Sequence, residues 1–253
     1  MRFRSVRLLI IAALFGLIPV LTPGPSVLAA QAAGIPRTPD GKPNLNGFWQ
    51  VLNTANIDIQ DHQARPGVPA GQGIVEGNEI PYQPSALKQK QENFANRATA
   101  DPESKCFMAG VPRVMYTPFP FQIIQMPELV TMLFEYAHNI RYVHTNGSPH
   151  PEGPLEWWMG DSRGRWEGDT LVVDVTYLND QTWFDRAGNF HSEAMHVVER
   201  YNLIDRDHIN YEATIEDAKV FTRPWKISMI LNRHKEKNFR LLEYYCYAFD
   251  IEK

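Results

Sequence analysis

The densest run of chemistry-bearing side chains lies between Phe184 and Tyr201, where His191, Glu193, His196 and Glu199 follow one another closely. His191 beside Glu193, or beside Asp185, is the pairing that proton transfer needs, because a carboxylate orients an imidazole that titrates near neutral pH. Such a pair suits a lyase, isomerase or hydrolase. His191, Glu193 and His196, with Asp185 close by, also offer the mixed nitrogen and oxygen donors of a zinc or iron site. On a regular strand His191 and Glu193 point to one side and His196 to the other, so the metal reading needs a bulge or loop near Glu193. The third reading is structural: polar residues at a strand entrance that satisfy backbone groups and solvent.

The elements that must position these residues are strands. From Phe121 onward, apolar, β-branched and aromatic runs recur between turn signals, the spacing of an antiparallel all-β domain. Strands are expected at 121–125, 129–137, 140–144, 170–177, 195–204, 208–216, 226–233 and 239–249. Short charged turns between most of them favour an up-and-down meander closing into a barrel, which removes exposed edges. Ahead of them, 33–46 is a Pro- and Gly-rich extended arm and 47–51 a short aromatic strand. The segment 52–84 reads as a long surface loop or lid, and 85–98 as one polar surface helix.

Three carboxylates, Glu135, Asp174 and Glu199, sit inside otherwise apolar strands. Facing inward they would need a cation, for which Arg200 and Arg223 are candidates, since desolvation otherwise favours the neutral acid. Large rings recur beside them. Trp49, Tyr136, Asp174, Trp183, Glu199 and Tyr245 are the candidate lining of a pocket for a small apolar or aromatic molecule; the same rings could equally fill a core.

The N-terminus carries Arg2, Arg4 and Arg7 ahead of an apolar run from Leu8 to Leu21. This is the pattern of a signal peptide ending near Ala32, and the run is too short for a membrane-spanning helix. Removing residues 1–32 takes those three arginines and no acid from a formal charge of −4, leaving −7. A chain so acidic repels phosphate backbones, which argues against nucleic-acid partners. Export to the periplasm or beyond permits Cys106 and Cys246 to pair, although buried free cysteines also serve as small hydrophobes. Gly160-Asp-Ser162-Arg-Gly164 matches a hydrolase nucleophile elbow in letters, but a strand rather than a supporting helix follows it.

Two resemblances carry further. Gly47-Phe-Trp49 on the first strand, with Arg240 on the last, resembles the Gly-x-Trp and closing arginine of lipocalin-type barrels. The motifs Thr38-Pro-Asp-Gly-Lys-Pro43, Trp158-Met-Gly-Asp-Ser162, Gly164-Arg-Trp-Glu-Gly-Asp-Thr-Leu-Val-Val-Asp174, His196-Val-Val-Glu-Arg-Tyr201 and Thr222-Arg-Pro-Trp225 resemble a large uncharacterised family of exported bacterial proteins. That resemblance implies export and transfers no catalytic residues. The expectation is an exported calycin-like β-barrel that binds a small molecule in its interior and needs no cofactor. The alternatives are an enzyme acting through His191, Glu193 or Asp185, with or without a divalent metal, and an envelope interaction protein docking through 33–46 and 52–84.

Overall fold

The computed structural model describes residues 34–244 and 246; the expected signal peptide and Tyr245 lie outside them. Nine strands close into a barrel in sequence order: β1 Gly47–Val51, β2 Phe121–Gln125, β3 Leu129–Phe134, β4 Ile140–His144, β5 Asp161–Glu167, β6 Thr170–Thr176, β7 His196–Leu203, β8 His208–Glu216 and β9 Trp225–Arg233. An odd number of strands cannot close with every neighbour antiparallel. The exception is β4 against β5, which run parallel and pair at Val143↔Ser162 and His144↔Arg163. The crossover 145–160 therefore climbs the barrel before β5 begins. No helix among the described residues is long and apolar enough to cross a membrane.

Alternation decides what each strand buries. On β7, Val197, Glu199, Tyr201 and Leu203 face inward; on β8, Ile209, Tyr211, Ala213 and Ile215; on β9, Trp225, Ile227, Met229 and Leu231. These side chains meet Phe121, Ile123, Met132 and Val143 from the other wall, so the barrel axis is filled by packed side chains. One end is sealed by Trp49, whose indole donates to the Leu45 carbonyl at 2.9 Å. The guanidinium of Arg233 lies 4.1 Å above the Trp49 ring. Gly47 makes that possible: its φ is +140°, and a Cβ there would collide with the Arg233 guanidinium. The closing arginine is thus Arg233 on β9, not Arg240, because β9 ends at Arg233.

The expected strand at 239–249 is also corrected. Residues 239–244 form no strand, because β9 already pairs with both β8 and β1 and leaves no edge to join. The tail instead packs along the outside of the barrel. Phe239 stacks on His234 and edges against Phe48, the Leu242 amide donates to Glu135 at 2.7 Å, and Tyr244 packs on Phe119 and Tyr136. Cys246 then bonds to Cys106.

The connections at the two ends differ in length. Residues 126–128, 168–169 and 204–207 make short turns at the sealed end, whereas 52–120, 135–139, 177–195 and 217–224 all rise from the opposite end. The segment expected to be a surface loop is in good part buried. Ala55, Ile59, Ile74, Val75 and Ile80 join the core, and Val75 bridges to Ile227 on the stretch of β9 that the short β1 leaves unpaired. The helix α1, Pro84–Ala100, begins with proline at its first position, which suits a proline that has no amide hydrogen. It buries only Ala86 and Asn93, as so polar a sequence should.

Candidate functional site

The long connections enclose a cleft of about 960 Å³ above the barrel, bordered by Arg65, Arg97, Arg186, Tyr136, Tyr244 and the Cys246 end of the tail. Its floor is an ion network built on Arg113, which is 1% exposed. The guanidinium donates to both Asp101 oxygens at 2.8 and 3.0 Å, to Glu103 at 2.8 Å and to the Asn56 side-chain oxygen at 2.9 Å. Asn56 and Arg186 each donate to both Glu103 oxygens. Burial pushes the Glu103 carboxyl up, but the hydrogen bond from Arg186 and the charges of Arg113 and Arg186 hold it below the usual carboxylate range.

Arg113 and Arg186 therefore balance Asp101 and Glu103. Arg65 and Arg97 remain, and among the described residues neither has a carboxylate within ion-pair distance. Arg97 is held at 4.1 Å over the Phe94 ring and donates to the Phe94 carbonyl at 2.6 Å, so its charge is positioned without being neutralised. Burial, followed by the Glu103 charge, raises Tyr136 above the usual phenol range; it stays a neutral ring. The cleft thus joins two aromatic rings to a surplus of positive charge.

The expected catalytic residues are not brought together. His191 is buried, with Nε2 at 2.6 Å from the Thr182 hydroxyl and Nδ1 at 2.9 Å from the Ser192 carbonyl. Burial lowers its pKa, which favours the neutral ring. Glu193 turns outward into an ion pair with Lys219. Asp185 accepts from the amides of Ile59, Ala187 and Asn189 and from the Asn189 side chain, a clasp between the 52–83 segment and the 177–195 loop. His196 stands on the outer face of β7 and reaches Asp174 at 3.0 Å. The trio His191, Glu193 and His196 therefore does not converge, because the chain between His191 and β7 turns through Glu193. No group of three or more metal-ligating side chains among the described residues is placed to hold an ion.

The proposed ligand residues divide as well. Tyr136 borders the cleft, Trp49 lies under Arg233, and Trp183 bridges to Phe190. Glu199 faces inward, and its cation is Arg141 on β4, not Arg200 or Arg223. Ser162 is buried and accepts from Arg141 at 3.0 Å, so it is no exposed nucleophile. Asp174 faces outward, between His150 at 2.9 Å and His196 at 3.0 Å. His150 also approaches Asp161 at 2.6 Å and so ties the crossover to β5 and β6. Although burial opposes it, hydrogen bonds from His196 and His150 hold Asp174 below the usual carboxylate range, and those from Arg163 and His150 do the same for Asp161.

Asp185 makes a test of the loop clasp. Burial first, then repulsion from Asp58, outweigh its donors and push the carboxyl up to about 7. A folded pKa above the unfolded value of 3.8 contributes stability that is fully present below that value and lost as pH rises to about 7. Urea unfolding at successive pH values should therefore show a falling component of up to about 1.4 kcal/mol per pH unit across this window. Asp185→Asn should remove that component. Parallel pH curves for the two proteins would exclude the assignment.

Against known proteins, no protein-family model matches the chain, and no curated protein matches it.

Proposed function

We propose that this chain is an exported β-barrel protein that binds a small molecule with an apolar or aromatic body and an anionic group, in the cleft at the loop-bearing end of the barrel. The observation that carries this reading is the pairing of Tyr136 and Tyr244 with Arg65 and Arg97 around a single cleft of about 960 Å³. Ligand sites are typically concavities of several hundred Å³, mostly apolar, with a few placed polar groups. A carboxylate meeting Arg65 and Arg97 gains charge-assisted hydrogen bonds there, and an aromatic body gains the tyrosine faces. Export is supported by the basic and apolar N-terminus and by the Cys106–Cys246 bond, which persists in oxidising compartments.

The probe is naphthalene-2-carboxylate set against its uncharged amide, titrated calorimetrically into the mature, disulfide-bonded protein. The carboxylate should bind and the amide should bind at least about tenfold more weakly, a difference worth about 1.4 kcal/mol. Arg97→Ala should reduce carboxylate affinity by about the same factor while leaving the melting temperature close to that of the parent. Equal affinity for both probes, or an Arg97→Ala variant that binds normally, would sink the reading.

A further inference from the structure

Of the three carboxylates that interrupt apolar runs of the chain, Asp174 lies between two histidines and Glu199 meets Arg141. Glu135 is the exception. It follows the last residue of β3, is 8% exposed, and among the described residues has no basic side chain within ion-pair distance. The Leu242 amide donates to Oε2 at 2.7 Å, and Oε1 has no hydrogen-bond partner among the described residues. A carboxylate can accept at about four positions, so a single neutral donor leaves this one short of partners while burial strips its water. Its own amide donates to the Pro120 carbonyl at 3.1 Å, which fixes the backbone that carries it.

Glu135 borders a cleft of about 600 Å³ between the C-terminal tail and the outside of the barrel. Pro120, Phe239 and Leu242 supply apolar wall, and the Phe239 ring is held by stacking on His234, with 3.8 Å between centroids. Arg240 borders the same cleft, and among the described residues it has no carboxylate within ion-pair distance. The other polar groups of the wall are already engaged. Glu236 lies 3.2 Å from the His234 imidazole. The Gln50 side chain donates to the Pro118 carbonyl at 3.2 Å and places its oxygen 2.9 Å from His234. Two opposite charges thus border one largely apolar cleft without meeting.

We propose that this cleft binds a zwitterionic α-amino acid with an apolar side chain, its ammonium on Glu135, its carboxylate on Arg240 and its side chain against Phe239, Leu242 and Pro120. An ammonium gives Oε1 the charge-assisted donor it lacks, and a guanidinium meets a carboxylate with two parallel bonds. The three substituents of one α-carbon diverge, as these three walls do in chemistry. An amine without a carboxylate brings a second cation beside Arg240. A carboxylate without an ammonium brings a third acid beside Glu135 and Glu236. Like charges set together disfavour both. This site shares no lining residue with the arginine-bordered cleft and does not depend on that cleft's function.

The test follows the Leu242 amide resonance by NMR while L-leucine, 3-methylbutylamine or 4-methylpentanoate is added to the mature, disulfide-bonded protein. The two comparison probes keep the branched chain of leucine and lack its carboxylate or its ammonium. Leucine should give a saturable shift, and each comparison probe should bind at least tenfold more weakly. Glu135→Gln, which keeps an acceptor for the Leu242 amide and removes the charge, should weaken leucine at least tenfold. Arg240→Gln, a change at an exposed residue, should do the same without lowering the melting temperature. Arg97→Ala should leave leucine binding unchanged, which keeps this result separate from that of naphthalene-2-carboxylate. The proposal is overturned if leucine gives no saturable shift, if either comparison probe binds as well, or if Glu135→Gln or Arg240→Gln binds leucine normally. It also falls if Arg240→Gln lowers the melting temperature of the leucine-free protein, which would make Arg240 the counter-ion of Glu135 itself.

Discussion

Glu199→Leu is expected to destabilise the barrel by about 3 to 5 kcal/mol, the range for breaking a buried ion pair by removing one partner. Arg141 and Glu199 are 2% and 0% exposed and meet across the barrel axis. Arg141 Nη1 donates to Glu199 at 3.0 Å, and its Nε and Nη2 donate to Ser162 Oγ at 3.0 Å. The hydroxyls of Tyr201 and Tyr211 complete the carboxylate, at 3.0 and 2.9 Å. Burial alone would pull the Arg141 pKa down, but the Glu199 charge beside it raises it, so the guanidinium stays charged and needs its counter-ion. The pair also acts where the sheet is weakest. Strands β4 and β5 share a two-position parallel ladder, and Arg141 reaches from β4 to Ser162 on β5 and to Glu199 on β7. Urea unfolding checks the loss, and a cycle with Arg141→Met separates its causes. The double variant should recover at least about half of it, because no uncompensated charge remains. A double variant as unstable as Glu199→Leu would show that the charge pair is not the source.

Much of this barrel is legible in the chain because period-two alternation is a local signal. The register of β7 alone puts Glu199 on the same face as Val197 and Tyr201, so an interior carboxylate can be read there. Its cation cannot, since Arg141 lies 58 residues away and on its own strand looks like any polar interruption. The stretch around Tyr244 shows the opposite failure. Its aromatic composition fits a strand, but whether a strand forms depends on a free sheet edge, and β1 had already taken it. The burial within 52–84 is not legible in the sequence because Ala55, Ile59, Ile74 and Ile80 follow no helical or strand period; they are buried by the barrel they cover. Cleft residues are hidden for the same reason. Tyr136 stands out beside a strand, whereas Arg65, Arg97 and Arg186 come from separate stretches of chain and share only a position in space. His150 likewise belongs to a Pro-rich crossover with no pattern of its own.

The second large effect is expected on opening the Cys106–Cys246 bond. The two cysteines are 140 residues apart, and cross-linking so long a loop removes unfolded-chain entropy worth about 5 kcal/mol. The native side of the balance adds local contacts. The bond holds Tyr244 against Tyr136 and Phe119 and keeps the Leu242 amide on Glu135, and Cys246 itself forms part of the arginine-bordered cleft. The paired variant Cys106→Ser with Cys246→Ser should therefore unfold at lower urea concentration by an amount corresponding to several kcal/mol. It should also bind naphthalene-2-carboxylate at least about tenfold more weakly, because one wall of the cleft is no longer fixed. The two readouts separate the two roles of the bond. Lost stability with unchanged binding would make the tail a clamp on the unfolded chain alone, while unchanged stability would contradict the entropic account. Both losses together would tie the order of the tail to the cleft.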